Sequence, residues 1–171
     1  MNFSVLFLSL ICLASFAGKK EHRHHEAHVH GAATLQIAFE NQKGVVRFQA
    51  AADGVLGFEH SPKTSKEKQL LDKAISKFEN EISKIIQLPS DLGCIFQKEK
   101  IGLPEAKKSE HMDFIANFQV QCQKPIQGSE IQFSFASFPG LHDIDVTILV
   151  DDLQKSVEVK NKVVKIQLTK D

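Results

Sequence analysis

"GAATLQIAFENQKGVVRFQAAA", residues 31–52, alternates apolar and polar side chains on both sides of "ENQKG". Leu35, Ile37 and Phe39 share one face of the first run, and Val46 and Phe48 share one face of the second. Successive side chains of an extended chain point to opposite faces, so a period of two marks a strand with one buried face. Residues 41–44 supply the turn, and the two runs form a β-hairpin.

The pattern changes after the hairpin. "GVLGFEHSPKTSKEK" is punctuated by Gly54, Gly57 and Pro62, which predicts a loop. Thr64 and Glu67 then stand at capping-box spacing. Leu71, Ala74, Ile75, Phe78, Ile82, Ile85 and Ile86 recur at intervals of three and four, which is one apolar stripe on a helix. Lys66, Lys73, Glu79, Glu81 and Lys84 lie mostly off that stripe and form a solvated face. Pro89 stops the helix. The remainder, "CIFQKEKIGL", "DFIANFQVQCQ", "IQFSFASF", "DIDVTILV", "KSVEVK" and "VVKIQL", is β-branched or aromatic and often alternating, which predicts strands. The expected class is α+β: a mainly antiparallel sheet with one long amphipathic helix packed on it.

The chain has 171 residues, a formal net charge of zero and 42 % hydrophobic residues, which suits a single domain. Balanced charge gives no basic footprint for nucleic acid. Residues 1–17 have the form of a signal peptide. "VLFLSLICLASFA" has the length of an h-region and is too short to span a bilayer comfortably, so no membrane insertion of the mature chain is expected. Ser15 and Ala17 place small residues at the −3 and −1 positions of a cleavage site before Gly18. Export removes Cys12 and leaves Cys94 and Cys122, which in an oxidising compartment are expected to form a disulfide. Residues 18–27 are expected to be a flexible His-rich segment, and residues 28–171 a single α+β metal-binding domain.

Histidine is concentrated at the start of the mature chain. "EHRHHEAHVHG", residues 21–31, holds five of the eight histidines. A first strand that begins this early makes His28 and His30 an i, i+2 pair pointing the same way. They would share the face of Ala32, Thr34, Gln36 and Ala38, opposite Leu35, Ile37 and Phe39. Two imidazoles on one strand are half of a tetrahedral zinc site. Further ligands must come from elsewhere: His60 beside Glu59 in the loop after the hairpin, or His111 with Asp113 at the start of a strand. His142, next to Asp143, is a weaker candidate. His22, His24 and His25 lie in a segment with almost no apolar residue, which suits a flexible collector of metal ions. Imidazole and carboxylate ligands suit zinc, copper(II) or nickel, and thiols already oxidised argue against copper(I).

"HEAHVHGAATLQIAFE", "GFEHSPKTSKEK", "GC" at 93–94, "HMDFIANFQVQCQKP" and "FASFPGLHDIDV" follow one another in an order that resembles the ZrgA-like family of periplasmic zinc-binding proteins. The resemblance runs over about residues 25–168. It implies an exported, periplasmic protein of a Gram-negative cell that holds Zn²⁺ through histidines and assists zinc acquisition. His28 and His30 match the family's H-x-H-G pair, and His60 matches the histidine of "GFEH". His111 and Asp113 match the H-x-D start of the strand that carries the second cysteine, and Cys94 and Cys122 match the two cysteines. Such proteins often carry a long His/Asp/Glu-rich insert before the H-x-D strand. Here that place holds only "LPEAKKSE", and the amino-terminal tract is its candidate substitute.

Three functions compete on these residues. The first is zinc capture, with a component of a zinc-import system as partner. The second is a metal-independent adaptor that docks on a transporter component through the open face of the hairpin. The third, a metal-dependent hydrolase, has only Glu59 as a candidate base. The chain contains no H-E-x-x-H, no G-x-S-x-G and no phosphate loop, so no enzymatic activity is expected.

Overall fold

The computed structural model describes residues 30–104, 111–160 and 163–170. The signal-peptide and His-rich readings, with His22, His24, His25 and His28, lie outside the described residues.

The hairpin forms as its alternation predicts. Strands β1 (Ala32–Glu40) and β2 (Lys43–Ala51) pair antiparallel with Leu35 opposite Phe48 and Ile37 opposite Val46. The turn is tighter than expected, since Lys43 and Gly44 already belong to β2. Asn41 takes the left-handed conformation at φ 53°, which asparagine tolerates better than most residues. Leu35, Ile37, Phe39, Val46 and Phe48 are all buried.

A short helix, α1 (Ala52–Leu56), follows β2 directly, where the sequence predicted only loop. Gly57 ends it at φ 80°. Five residues are too few to show a helical period, so no stripe announced this element. The long helix α2 (Ser65–Ile85) starts at the expected capping box: the Thr64 side chain accepts from the Glu67 N–H, and the Glu67 carboxylate accepts from the Thr64 N–H. It ends before Pro89 because Ile86 and Gln87 leave the helix as a two-residue strand, β3 (Ile86–Gln87). The remaining strands are β4 (Ile95–Gly102), β5 (Asp113–Gln121), β6 (Glu130–Phe133), β7 (Asp143–Val150), β8 (Leu153–Val159) and β9 (Val164–Gln167).

These strands form two sheets rather than one. The larger has the order β4-β5-β2-β1-β7-β8 and the smaller β3-β6-β9. Every pairing is antiparallel except β1 with β7 at the centre of the large sheet. The parallel pair puts Leu35 beside Val146 and Ile37 beside Ile148, so two fully apolar faces meet in register. The apolar face of the large sheet, the buried stripe of α2 and the buried face of the small sheet make one hydrophobic cluster. Phe78 of α2 is at its centre, with ring centroids 4.6–5.4 Å from those of Phe48, Phe114 and Phe138. Aromatic rings at such separations add attraction beyond the area they bury.

Cys94 and Cys122 form the expected disulfide. They flank the antiparallel pair of Ile95 with Gln121, so the bond ties edge strand β4 to β5 at one end of the sheet. The opposite end carries the start of β1, the end of β2 and the start of β5, and the chemistry-bearing residues gather there.

Candidate metal centre

Four side chains from four stretches of chain converge beside the start of β1. His30 precedes that strand, Asp53 is the second residue of α1, Glu59 lies in the loop after α1, and His111 stands two residues before β5. His30 Nδ1 lies 2.5 Å from Asp53 Oδ2 and 3.2 Å from Glu59 Oε1. The other Glu59 oxygen, Oε2, meets His111 Nδ1. Glu59 therefore bridges two imidazoles that are far apart in sequence. Within this set His30, Asp53 and Glu59 each offer a ligand atom, and these atoms all lie within 4.8 Å of one another.

Backbone hydrogen bonds hold the convergence in place. The Met112 N–H donates to the Glu59 carbonyl at 2.8 Å, and the Met112 carbonyl accepts from the Ala52 N–H at 2.9 Å. His111 is thereby placed between the residue next to Asp53 and Glu59. His30 is aimed by Gly31, whose φ of 75° turns the chain just before β1 begins at Ala32. That turn is the reason the expected strand alternation does not extend to His30. Residue 31 needs a positive φ, which glycine adopts without steric cost.

The carboxylates sit deeper than the imidazoles. The side chains of Asp53 and Glu59 are 22 % and 15 % exposed, against 74 % and 58 % for His30 and His111. An ion arriving from solvent thus meets imidazole first with carboxylate behind it. Among the described residues, Asp53 Oδ1 is buried without a hydrogen-bond partner. A buried carboxylate oxygen left unsatisfied is costly, and a cation is one way to satisfy it. With both imidazoles neutral the four side chains carry two negative charges, which a divalent cation neutralises. In its absence a proton does part of that work: the Asp53 hydrogen bond, then the charges of Asp53 and Glu59, hold the His30 pKa above its ordinary value.

The remaining predicted residues are placed differently. His60 turns away: its Nδ1–H donates to the Ser61 carbonyl at 3.0 Å, and Nε2 lies 3.9 Å from Glu67 Oε1 on the capping box of α2. Its ring packs 5.3 Å from the Phe58 centroid. Asp113 opens β5 and accepts from Gln49 Nε2 at 2.8 Å. His142 sits against Gly31, with its Nδ1 3.3 Å from the Gly140 carbonyl. Asp53 is the residue that sequence reasoning missed. Its one signal is a lone carboxylate in "AAADGV", a run whose alanines are buried.

Two imidazoles and two carboxylates, with both described cysteines oxidised, form a donor set for zinc, copper(II) or nickel. Fold and site together define a strand-rich α+β domain with a mixed imidazole–carboxylate cluster able to hold a divalent cation. The chain belongs to the ZrgA family of zinc uptake proteins, whose model matches residues 27–168. That membership places the protein in zinc uptake. No curated protein matches the chain. Among the described residues no helix is long and apolar enough to cross a membrane.

Proposed function

We propose that the protein captures Zn²⁺ in the periplasm through histidines and passes it to a component of a zinc-import system. The ligands are His30 and His111 with Asp53 and Glu59, joined by His28 from the H-x-H motif. His60 and Asp113 flank this group, and His22, His24 and His25 gather ions ahead of it after cleavage of residues 1–17. The observation that carries the reading is the convergence of His30, Asp53 and Glu59 on one small volume, with His111 on the far oxygen of Glu59.

Zinc is cargo here. It takes deprotonated ligands, so it replaces the protons shared between imidazole and carboxylate. Zinc binding therefore releases protons, and acid opposes it. Neutral imidazole and carboxylate oxygen form bonds of moderate strength, and exposed imidazoles leave a route out. Both features suit a carrier that must release its ion.

The test is calorimetric titration with zinc of the untagged mature protein and of His30→Ala/His111→Ala. The expected result is a tight site in the first and its loss in the second. Unchanged stoichiometry and affinity in the double variant would remove the pair from the site. A wild-type protein purified free of metal and indifferent to zinc would favour the metal-independent adaptor.

A further inference from the structure

Behind the cluster, three glycines from distant parts of the chain touch backbone to backbone. A Cβ added to Gly140 would lie 2.5 Å from the Gly54 carbonyl oxygen and 3.3 Å from its Cα. A Cβ on Gly54 would lie 3.3 Å from the Gly31 Cα, and one on Gly31 would lie 2.8 Å from the Gly140 carbonyl oxygen. Gly31 follows His30 and Gly54 follows Asp53, so two of the three are joined directly to groups of the cluster. The third lies in the turn before β7. That turn is anchored in its own right: the Gly31 carbonyl accepts from the His142 N–H at 3.0 Å, and Leu141, fully buried, packs on Gly54. A side chain at Gly140 would meet the Gly54 backbone first, whereas one at Gly54 would first meet the end of the Leu141 side chain and one at Gly31 the His142 ring.

We propose that this three-glycine contact sets the separation of His30 from Asp53, and that Gly140 is thereby a positioning residue for zinc. The proposal rests on the zinc-capture reading. Gly140 reaches no ligand itself. It acts as a spacer of zero thickness between α1 and the turn that holds Gly31. Metal affinity is sensitive to such support, since losing a group that orients a ligand costs about 10–100-fold.

Two variants grade the effect. Neither Gly54 nor Gly140 has a positive φ, so alanine is compatible with the backbone at both. In Gly140→Ala the new methyl meets a carbonyl group, which cannot yield without moving α1. In Gly54→Ala its nearest neighbour is Leu141 Cδ2 at 2.9 Å, the mobile end of a side chain. Zinc affinity should fall about 10–100-fold in Gly140→Ala and less in Gly54→Ala. The visible spectrum of the cobalt(II)-loaded protein should change in the same order, which reports ligand geometry rather than stability. Cys94→Ser/Cys122→Ser, destabilised at the other end of the sheet, should leave that spectrum alone.

Wild-type affinity and spectrum in Gly140→Ala would overturn the proposal, as would an equal spectral change in the cysteine variant. Should Gly140→Ala fail to fold, a Gly54→Ala protein identical to wild type in both readouts would do the same. A wild-type protein that ignores zinc and cobalt would refute the zinc-capture reading and the affinity claim with it. The nitrogen resonances of the His30 ring in the metal-free protein then judge the spacing alone, and unchanged resonances in Gly140→Ala would overturn that too.

Discussion

Glu59→Gln is the most informative single change at the cluster. Glutamine keeps the volume and one carbonyl oxygen, but it loses the charge and presents an amide where the second carboxylate oxygen was. Glu59 uses both oxygens, Oε1 toward His30 at 3.2 Å and Oε2 on His111. The variant therefore disturbs two imidazoles at once. Loss of one group that binds or orients a metal ligand weakens a metal about 10–100-fold. Two disturbed contacts give about 100-fold or more, near 2.7 kcal/mol at about 1.4 kcal/mol per decade. Asp53→Asn disturbs one imidazole, at 2.5 Å from His30, and should lose about tenfold, near 1.4 kcal/mol. Competition against a chromophoric zinc chelator at fixed pH and salt measures both. The ranking is the sharper test: an Asp53→Asn protein weaker than Glu59→Gln, or a Glu59→Gln protein within about threefold of wild type, refutes the bridge.

The pH dependence follows from His30. Its folded pKa is raised above the ordinary 6.5, chiefly by the Asp53 hydrogen bond, so protons compete with zinc at His30 to a higher pH than at a free imidazole. Apparent zinc affinity should decline on acidification from a point above pH 6.5, and a midpoint below it would contradict the assignment. For the metal-free protein, the sign is that of a histidine with a raised pKa: its stabilisation is complete below about 6.5 and is lost as pH rises through the folded value. Urea unfolding at several pH values should show that loss, and His30→Gln should abolish it. Cys94→Ser/Cys122→Ser opens a link across a separation of 28 residues, which the chain-entropy estimate values at about 3.6 kcal/mol; urea unfolding should show a loss near this with zinc affinity unchanged, because the bond lies at the other end of β5. Phe78→Ala empties the centre of the core and should cost about 3–5 kcal/mol by the same assay.

The hairpin and the long helix were readable because their signals are local. Leu35, Ile37 and Phe39 can share a face only at a period of two, and Thr64 and Glu67 cap a helix by contacts three residues apart. The disulfide was readable because the signal-peptide reading sets Cys12 aside, and the two remaining cysteines leave one pairing. His30 and His111 were also singled out by residue type and motif. What residue type could not supply was the company they keep. Asp53 carries no metal-ligand motif, and α1 is too short to show a period. The Gly31 turn breaks the alternation that would have placed His30 on the strand.

Local patterning thus determined the hairpin, the long helix and which of their faces are apolar. Only the tertiary structure decided that β1 lies parallel to β7, that β3, β6 and β9 form a second sheet, and that residues 30, 53 and 59 share one volume with His111 on the second oxygen of Glu59. The physical reason is range. Periodicity and capping act over a few residues, whereas the cluster depends on contacts closed across dozens of residues, at Gly31 with Gly140 and at Glu59 with Met112, wherever apolar faces and bare backbones happen to fit.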